Sequence, residues 1–256
     1  MITANDILCL DRKEKKQLPK NHLKLLNTSI FNFTKGCNGV AVSLEEARTY
    51  PDNTWVIYGA GMIKAVKDCW ANNTSFFYID NQYLGNMRSK KQWHRIVKDH
   101  VHDIRPIIER PRDRLEQVIK YIQWAQLKRP ELNPTLLDPK PFTSGRNILI
   151  APPSPKSFTL WNIDQQQWID QTVAEIKKYT DRPIKVRLKR PRDDRFIQNT
   201  LEDDLKDSHC LVTYNSVAAC EAIINGTPAF TLGPNAAQQL AKHDLSEIEN
   251  PYIPSD

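Results

Sequence analysis

The chain has 256 residues, 40% hydrophobic and 26% charged, with a formal net charge of +6, enough to bury one large α/β core or two of ordinary size. No apolar run is long enough to cross a bilayer and no apolar segment follows Met1-Ile2-Thr3, so neither a membrane span nor a secretory leader is expected and the chain reads as a cytoplasmic protein. The basic balance, with an isoelectric point near 9.0, favours phosphate-bearing or polyanionic partners without requiring nucleic acid. Five cysteines, Cys9, Cys37, Cys69, Cys210 and Cys220, form no Cys-x-x-Cys pair and no Cys/His cluster, so they read as small hydrophobes in a reducing compartment, with no metal site.

In chain order, the first apolar runs are "DILCL" (6 to 10), "GVAVS" (39 to 43), "WVIYG" (55 to 59) and "SFFYID" (75 to 80), read as strands. Helices fit residues 44 to 49, 62 to 71 and 112 to 127. Gly59-Ala60-Gly61 follows a strand and precedes a helix, but a dinucleotide fingerprint needs glycine where Lys64 stands. Gly59 and Gly61 are instead expected to let an acceptor, or the far end of a donor, approach backbone amides. Asp80 closes its strand before the amide-rich turn "NQYLGN". It is either an Asx-type turn residue or the base that takes a proton from an acceptor hydroxyl, with His100 and His102 as second choices. Basic and aromatic residues interleave over 86 to 100, where Arg88 and Trp93, together with Tyr83, could track a phosphate backbone and stack a base. A solvated helical face explains the same run. The four prolines between 127 and 145 mark a boundary, giving domains 1–144 and 145–256.

Beyond that boundary strand and helix alternate: "NILIAP" (147 to 152), a helical pattern over 163 to 180, "IKVRL" (184 to 188), "LEDDLKD", "CLVTY" (210 to 214), "SVAACEAIIN" and "PAFTLG". Such alternation predicts a parallel, two-sided sheet, whose ligands bind beyond the carboxyl ends of the strands. The residues there are Pro152 to Ser157, which includes Ser154, then Lys189-Arg190, then Thr213 to Ser216, then Gly233-Pro234. Hydroxyls, amides and cations of this kind suit a phosphate or diphosphate. Ser216 fits a helix N-cap, and Asn215 could serve the same end. Glu221 lies too far along to complete a capping box, which would place its carboxylate at position 219, so it is either exposed or meets a ligand with hydroxyl donors, such as a ribose.

The pattern Thr213-Tyr214-Asn215-Ser216-x4-Glu221-Ala222-x3-Gly226-x-Pro228-Ala229-Phe230 resembles the donor-nucleotide motif of GT-B glycosyltransferases. It is particularly similar to capsular-polysaccharide-type and phage-encoded transferases, over roughly residues 145 to 234. The resemblance implies two Rossmann-like domains facing a cleft, with Ser216 and neighbouring amides on the donor's diphosphate and Glu221 on its ribose. "PIKVRLKRP" resembles the basic strand upstream of that motif, which makes Arg187 and Lys189 candidate diphosphate cations. Chains of that family usually continue into a helix that crosses back onto the first domain, whereas this sequence ends at "NPYIPSD".

The expected activity is glycosyl transfer from a nucleotide-diphosphate sugar to a hydroxyl, with a hydroxymethylated base of phage DNA as one acceptor that the basic first half suits. A sugar-nucleotide epimerase uses the same motif, and a nucleic-acid-binding protein without turnover could keep the same fold. No Asp-x-Asp motif calls for a metal cofactor. Donor contacts are expected at Ser154, Arg187, Lys189, Thr213, Asn215, Ser216 and Glu221, and acceptor contacts at Gly59, Gly61, Tyr83, Arg88 and Trp93.

Overall fold

A computed structural model describes residues 7–10, 33, 36–59, 62–81, 94–101, 140–142, 144–189 and 199–253. These fall into two compact units, one holding the described residues up to 101 and the other those from 140 onward.

The first unit contains β1 (Ile7–Leu10), β2 (Val40–Val42), α1 (Leu44–Ala47), β3 (Thr54–Tyr58), α2 (Ile63–Asn72), β4 (Phe76–Asn81) and β5 (His94–Lys98). Its sheet has the order β2-β1-β3-β4-β5. The first four strands are parallel and β5 runs antiparallel to β4, from Phe77 opposite Lys98 to Asn81 opposite His94. Trp55, Val56 and Ile57 are buried in succession, as a central parallel strand covered on both faces requires. Helix α2 buries Ala65, Val66 and Cys69, one stripe at helical spacing, and ends where Asn73 turns left-handed at φ 54° and its N–H returns to the Cys69 carbonyl. Burial pushes the Cys69 thiol up to about 12, so it packs as a hydrophobe.

Strand β5 corrects the expectation of a solvated helical face over 86 to 100, because residues 94–98 pair with β4 instead. Its inward positions are Arg95 and Val97, and the Arg95 guanidinium lies 5.8 Å from the Tyr78 ring centroid, its stem packed while its charge is paired.

The second unit contains β6 (Asn147–Ile150), α3 (Pro155–Leu160), α4 (Gln165–Ile176), β7 (Ile184–Val186), α5 (Leu201–Leu205), β8 (Ser208–Thr213), α6 (Ala218–Ile224) and β9 (Ala229–Thr231), followed by short 3-10 turns at Gln238–Leu240 and Leu245–Glu247. The strands are all parallel in the order β7-β6-β8-β9. Side chains alternate across this sheet. Ile148, Ile150, Cys210, Val212 and Phe230 face Phe158, Trp168, Ile169 and Ile176, from α3 and α4. Leu149, Leu211 and Ala229 face Leu205 of α5 and Ala218, Ala219 and Ala222 of α6, whose small side chains let that helix lie close to the sheet. Burying a residue such as Phe158 contributes about 1.5–3 kcal/mol.

Two clasps complete this unit. Residues 140–142 cross the end of α6, where the Lys140 N–H donates to the Ile224 carbonyl at 2.9 Å. Gly226, at φ +76°, comes so close to the Pro141 carbonyl that a Cβ would lie 2.3 Å from its oxygen. On the other side His209 sits between the Ser144 hydroxyl at 3.0 Å and the Ile248 carbonyl at 3.1 Å, and Arg182 binds Glu249 at 3.0 Å. The cation beside it and its own burial both lower the His209 pKa, burial more strongly, so the ring is held neutral.

Candidate functional site

The order β7-β6-β8-β9 contains one reversal. From β6 the chain moves outward through α3 and α4 to β7, and from β8 it moves the other way through α6 to β9. The loops leaving β6 and β8 therefore diverge to opposite faces, and a crevice opens between them at the carboxyl ends of two adjacent strands. Residues 151–157 and 213–216 are the segments that follow these two strands.

Side-chain hydrogen bonds stitch these loops together. Thr213 is fully buried; its hydroxyl donates to the Ala151 carbonyl at 2.6 Å and accepts the Ser216 N–H at 3.3 Å. Thr213 thus holds the site together instead of offering a hydroxyl to a ligand. The Ser157 hydroxyl donates to Asn215 Oδ1 at 3.0 Å. Asn215 is only 4% exposed, and its Nδ2 has no hydrogen-bond partner although it is buried. Ser154 is the N-cap of α3 with Pro155 behind it, and its carbonyl accepts the Ser157 N–H at 2.8 Å while its side chain makes no capping bond.

Ser216 stands one residue before the place expected for it. Val217 is the N-cap residue of α6, and the Ser216 hydroxyl accepts the Ala218 N–H at 3.3 Å. With the cap at Val217, the capping-box position falls on Cys220, and Glu221 remains outside such a box, half-buried in the first turns of the helix. Its backbone carbonyl accepts both the N–H and the side-chain amide of Asn225.

The basic strand behaves differently from the expectation of a diphosphate clamp. The Arg187 guanidinium forms an ion pair with Asp204 of α5 and donates to the Asn199 carbonyl at 2.7 Å, so much of its charge is already answered within the fold. Lys189 is exposed, and Arg190 lies outside the described residues. The adjacent acids Asp203 and Asp204 of α5 go separate ways: Asp203 completes a capping box with Thr200, while Asp204 meets Arg187.

Sequence reasoning missed Asn235, and placed Ser157 after β6 without seeing its pairing with Asn215. Asn235, 1% exposed, donates to the Ser216 carbonyl at 2.9 Å and accepts the Ala237 N–H, tying the loop after β9 to the one after β8. An Asn two residues beyond Gly233 at a strand end was the available signal. Tyr214 anchors the crevice wall against Phe158, Trp168 and Trp161, with ring centroids 5.8, 6.4 and 6.3 Å away. Gly233 is glycine because a Cβ there would lie 2.5 Å from the Tyr214 ring.

In the first unit the two candidate bases are separated. Asp80 lies near the carboxyl end of β4, where its carboxylate meets Arg95 and the Tyr78 hydroxyl, each at 3.3 Å. Arg95 is also bound to the Val101 carbonyl at 2.6 Å, so Asp80 belongs to a clamp joining β4 to β5. His100 follows Asp99 at the amino-terminal end of β4, since the Asp99 N–H and carboxylate bond the Phe76 carbonyl and N–H. That is the end of a parallel sheet away from its ligand side. Gly59 does turn left-handed at φ 69°, but its N–H donates to the Ile79 carbonyl at 2.8 Å, so this amide is used within the sheet. Gly61, Tyr83, Arg88, Trp93 and His102 lie outside the described residues.

The carboxyl end of this sheet instead presents His94, whose Nε2 is 3.1 Å from the Tyr58 hydroxyl. Tyr58 is paired with Ile79 and His94 with Asn81, so both share one face of β4 while Asp80 and Arg95 occupy the other. Burial lowers the His94 pKa, and the nearby Asp80 charge opposes that shift. Among the described residues no group of three or more His, Cys, Asp or Glu is placed to hold a metal, and no helix is long and apolar enough to cross a membrane.

The sequence matches no protein-family model and no curated protein. Among solved structures the chain is similar to the β-Kdo 2,7 transferase of Thermosulfurimonas dismutans KpsC, at 11% identity and a TM-score of 0.44, covering 95% of this chain and 88% of that one. It is also similar to the β-Kdo 2,4 transferase of the same KpsC, at 10% identity and a TM-score of 0.44, covering 95% of this chain and 89% of that one. Neither name refers to a phage protein or to DNA. The described residues form a mixed α/β chain whose sheets are mainly parallel.

Proposed function

We propose that residues 145–256 bind a nucleotide-diphosphate sugar and that the chain transfers its glycosyl group to a hydroxyl acceptor, in a two-domain GT-B arrangement with residues 1–144 on the acceptor side. The observation that carries this is the strand reversal between β6 and β8, which sets a hydroxyl- and amide-lined crevice at the ligand end of the sheet with Glu221 just inside α6. Ser154, Asn215 and Ser216 supply neutral donors for phosphate oxygens, Lys189 supplies charge, and Glu221 accepts from ribose hydroxyls. Arg187 serves mainly to fix β7 to α5.

In the reaction the acceptor oxygen forms a bond to the anomeric carbon, the bond from that carbon to the diphosphate breaks, and the hydroxyl proton passes to a base. Catalysis comes from positioning and from donors that stabilise the leaving diphosphate. For the proton, the first unit offers the His94 imidazole paired with Tyr58. Asp80, already clamped by Arg95, is less suited to that role.

A thermal-shift screen against uridine, cytidine, guanosine and adenosine phosphates and their sugars tests the donor site. Stabilisation by at least one of them, weakened in Glu221→Ala, is the expected result. No stabilisation by any of them contradicts the proposal. Conversion of a free sugar nucleotide without an acceptor would identify an epimerase. Salt-sensitive binding to plain and hydroxymethylated DNA without sugar transfer would identify a nucleic-acid-binding protein.

A further inference from the structure

The Asn215 carboxamide is a buried polar group beside the strand reversal whose hydrogen-bonding capacity is left open. Its oxygen is occupied by Ser157 and its nitrogen is buried without a partner. Burying an amide N–H in this way is costly, and native folds keep few such groups. Asn215 lies two residues beyond the end of β8, and Ser157 lies in α3, which follows β6, so their contact spans the two sides of the strand reversal. The segments 151–157 and 213–217 contain Lys156 and no Asp or Glu, so the surroundings favour an anionic acceptor over a cationic or donating group.

We infer that Asn215 Nδ2 donates to a phosphate oxygen of the bound ligand, and that Ser157 is a positioning residue that turns the carboxamide so that its NH2 faces the ligand. A Ser157 hydroxyl proton directed at Oδ1 leaves only the nitrogen for the crevice. Without that hydroxyl the carboxamide is free to reverse, and its oxygen would then meet the phosphate. The inference deepens the proposal of a nucleotide-phosphate site and rests on it for the nucleoside, but the contact itself requires only a phosphate group.

The test is isothermal titration of the full chain with nucleoside diphosphates and, separately, with inorganic pyrophosphate, together with melting of each variant without ligand. Asn215→Ala and Ser157→Ala should each weaken binding about tenfold or more, the loss expected for a hydrogen bond to a charged group. The double variant should bind no worse than Asn215→Ala, because Ser157 acts through Asn215. Ser157→Thr, which keeps the hydroxyl, should restore wild-type affinity. Asn215→Asp should bind more weakly than Asn215→Ala, because it sets a negative acceptor against the phosphate. Without ligand, the double alanine variant should melt no lower than wild type, since it removes an unsatisfied donor.

Pyrophosphate binding that follows this pattern while no nucleoside diphosphate binds would refute the nucleotide proposal and leave the Asn215 contact standing. Absence of binding by pyrophosphate and by every nucleotide overturns the contact as well. It is also overturned if Asn215→Ala leaves affinity unchanged while lowering the melting temperature of the unliganded protein, the signature of a purely structural residue. Tighter binding by Asn215→Asp would show that the ligand donates at this position, and would likewise overturn it.

Discussion

Replacing Gly226 with alanine probes how the second unit is closed. At φ +76° the residue occupies the left-handed region, where a side chain costs about 1–2 kcal/mol. The added Cβ would also lie 2.3 Å from the Pro141 oxygen, 2.8 Å from the Lys140 oxygen and 2.9 Å from the Pro141 carbonyl carbon. These are backbone atoms, which cannot rotate aside as a side-chain tip would. The Lys140 N–H is bonded to Ile224 in the same place, so the strap can retreat only by giving up that bond. Overpacking of this kind costs about 1–3 kcal/mol. Together the two effects predict a loss of about 2–5 kcal/mol, read as a lower urea midpoint by the fluorescence of Trp161 and Trp168. Gly36→Ala is the control, because no atom lies within 4 Å of its Cβ position and its backbone is ordinary. It should leave stability unchanged or raise it by up to about 1 kcal/mol. A Gly226→Ala protein with the wild-type midpoint would refute the close crossing of residues 140–142 over α6.

Four further outcomes are expected. Asp80→Asn removes the carboxylate that binds Arg95 and Tyr78, so it should lower stability by about 1–3 kcal/mol, measured by denaturation. Lost turnover at unchanged stability would restore Asp80 as the base. Arg187→Ala leaves Asp204 without its guanidinium and should destabilise by a similar amount, whereas Lys189→Ala, at an exposed position, should weaken ligand affinity, as titration would show. An NMR titration of His94 should give a midpoint below 6.5, since burial disfavours its charged form, and a midpoint at or above 6.5 would contradict that environment. His209 carries the same sign: its contribution is complete above the unfolded value near 6.5 and is lost as pH falls toward its lowered folded pKa. Unfolding free energies of wild type and His209→Gln should therefore converge as the pH is lowered through that range, and curves that stay parallel would count against the clasp.

Much of the parallel core was legible because its strands are buried on both faces. "NILI" and "CLVT" are continuous apolar runs, and the structure places them as the two central strands β6 and β8. Helix α4 was equally clear, since Trp168, Ile169 and Ile176 recur at helical spacing on its buried stripe. Strand β5 was not legible, because "HRIVK" exposes His94, Ile96 and Lys98 and buries an arginine stem, so that its charge pattern hides its period. Helix α3 was hidden by the prolines that open it.

At the site, the strand-end rule led directly to Asn215, Ser216 and Glu221, which follow one strand. It did not reveal that the Thr213 hydroxyl is used internally, or that Arg187 is paired with Asp204, seventeen residues away. Such pairings depend on which strands become neighbours. The sequence order of elements leaves that open, and for the same reason the meeting of Ser157 with Asn215 could not be read in advance.

The most direct test of the proposed donor site is a map of amide chemical-shift changes in the labelled protein as a nucleoside diphosphate is added. Binding at the strand reversal predicts that the largest changes fall on residues 154–157 and 213–221, and that Glu221→Ala reduces the response to the nucleotide more than the response to inorganic pyrophosphate. Shifts confined to the first unit, or none on those two segments at saturating nucleotide, would contradict it.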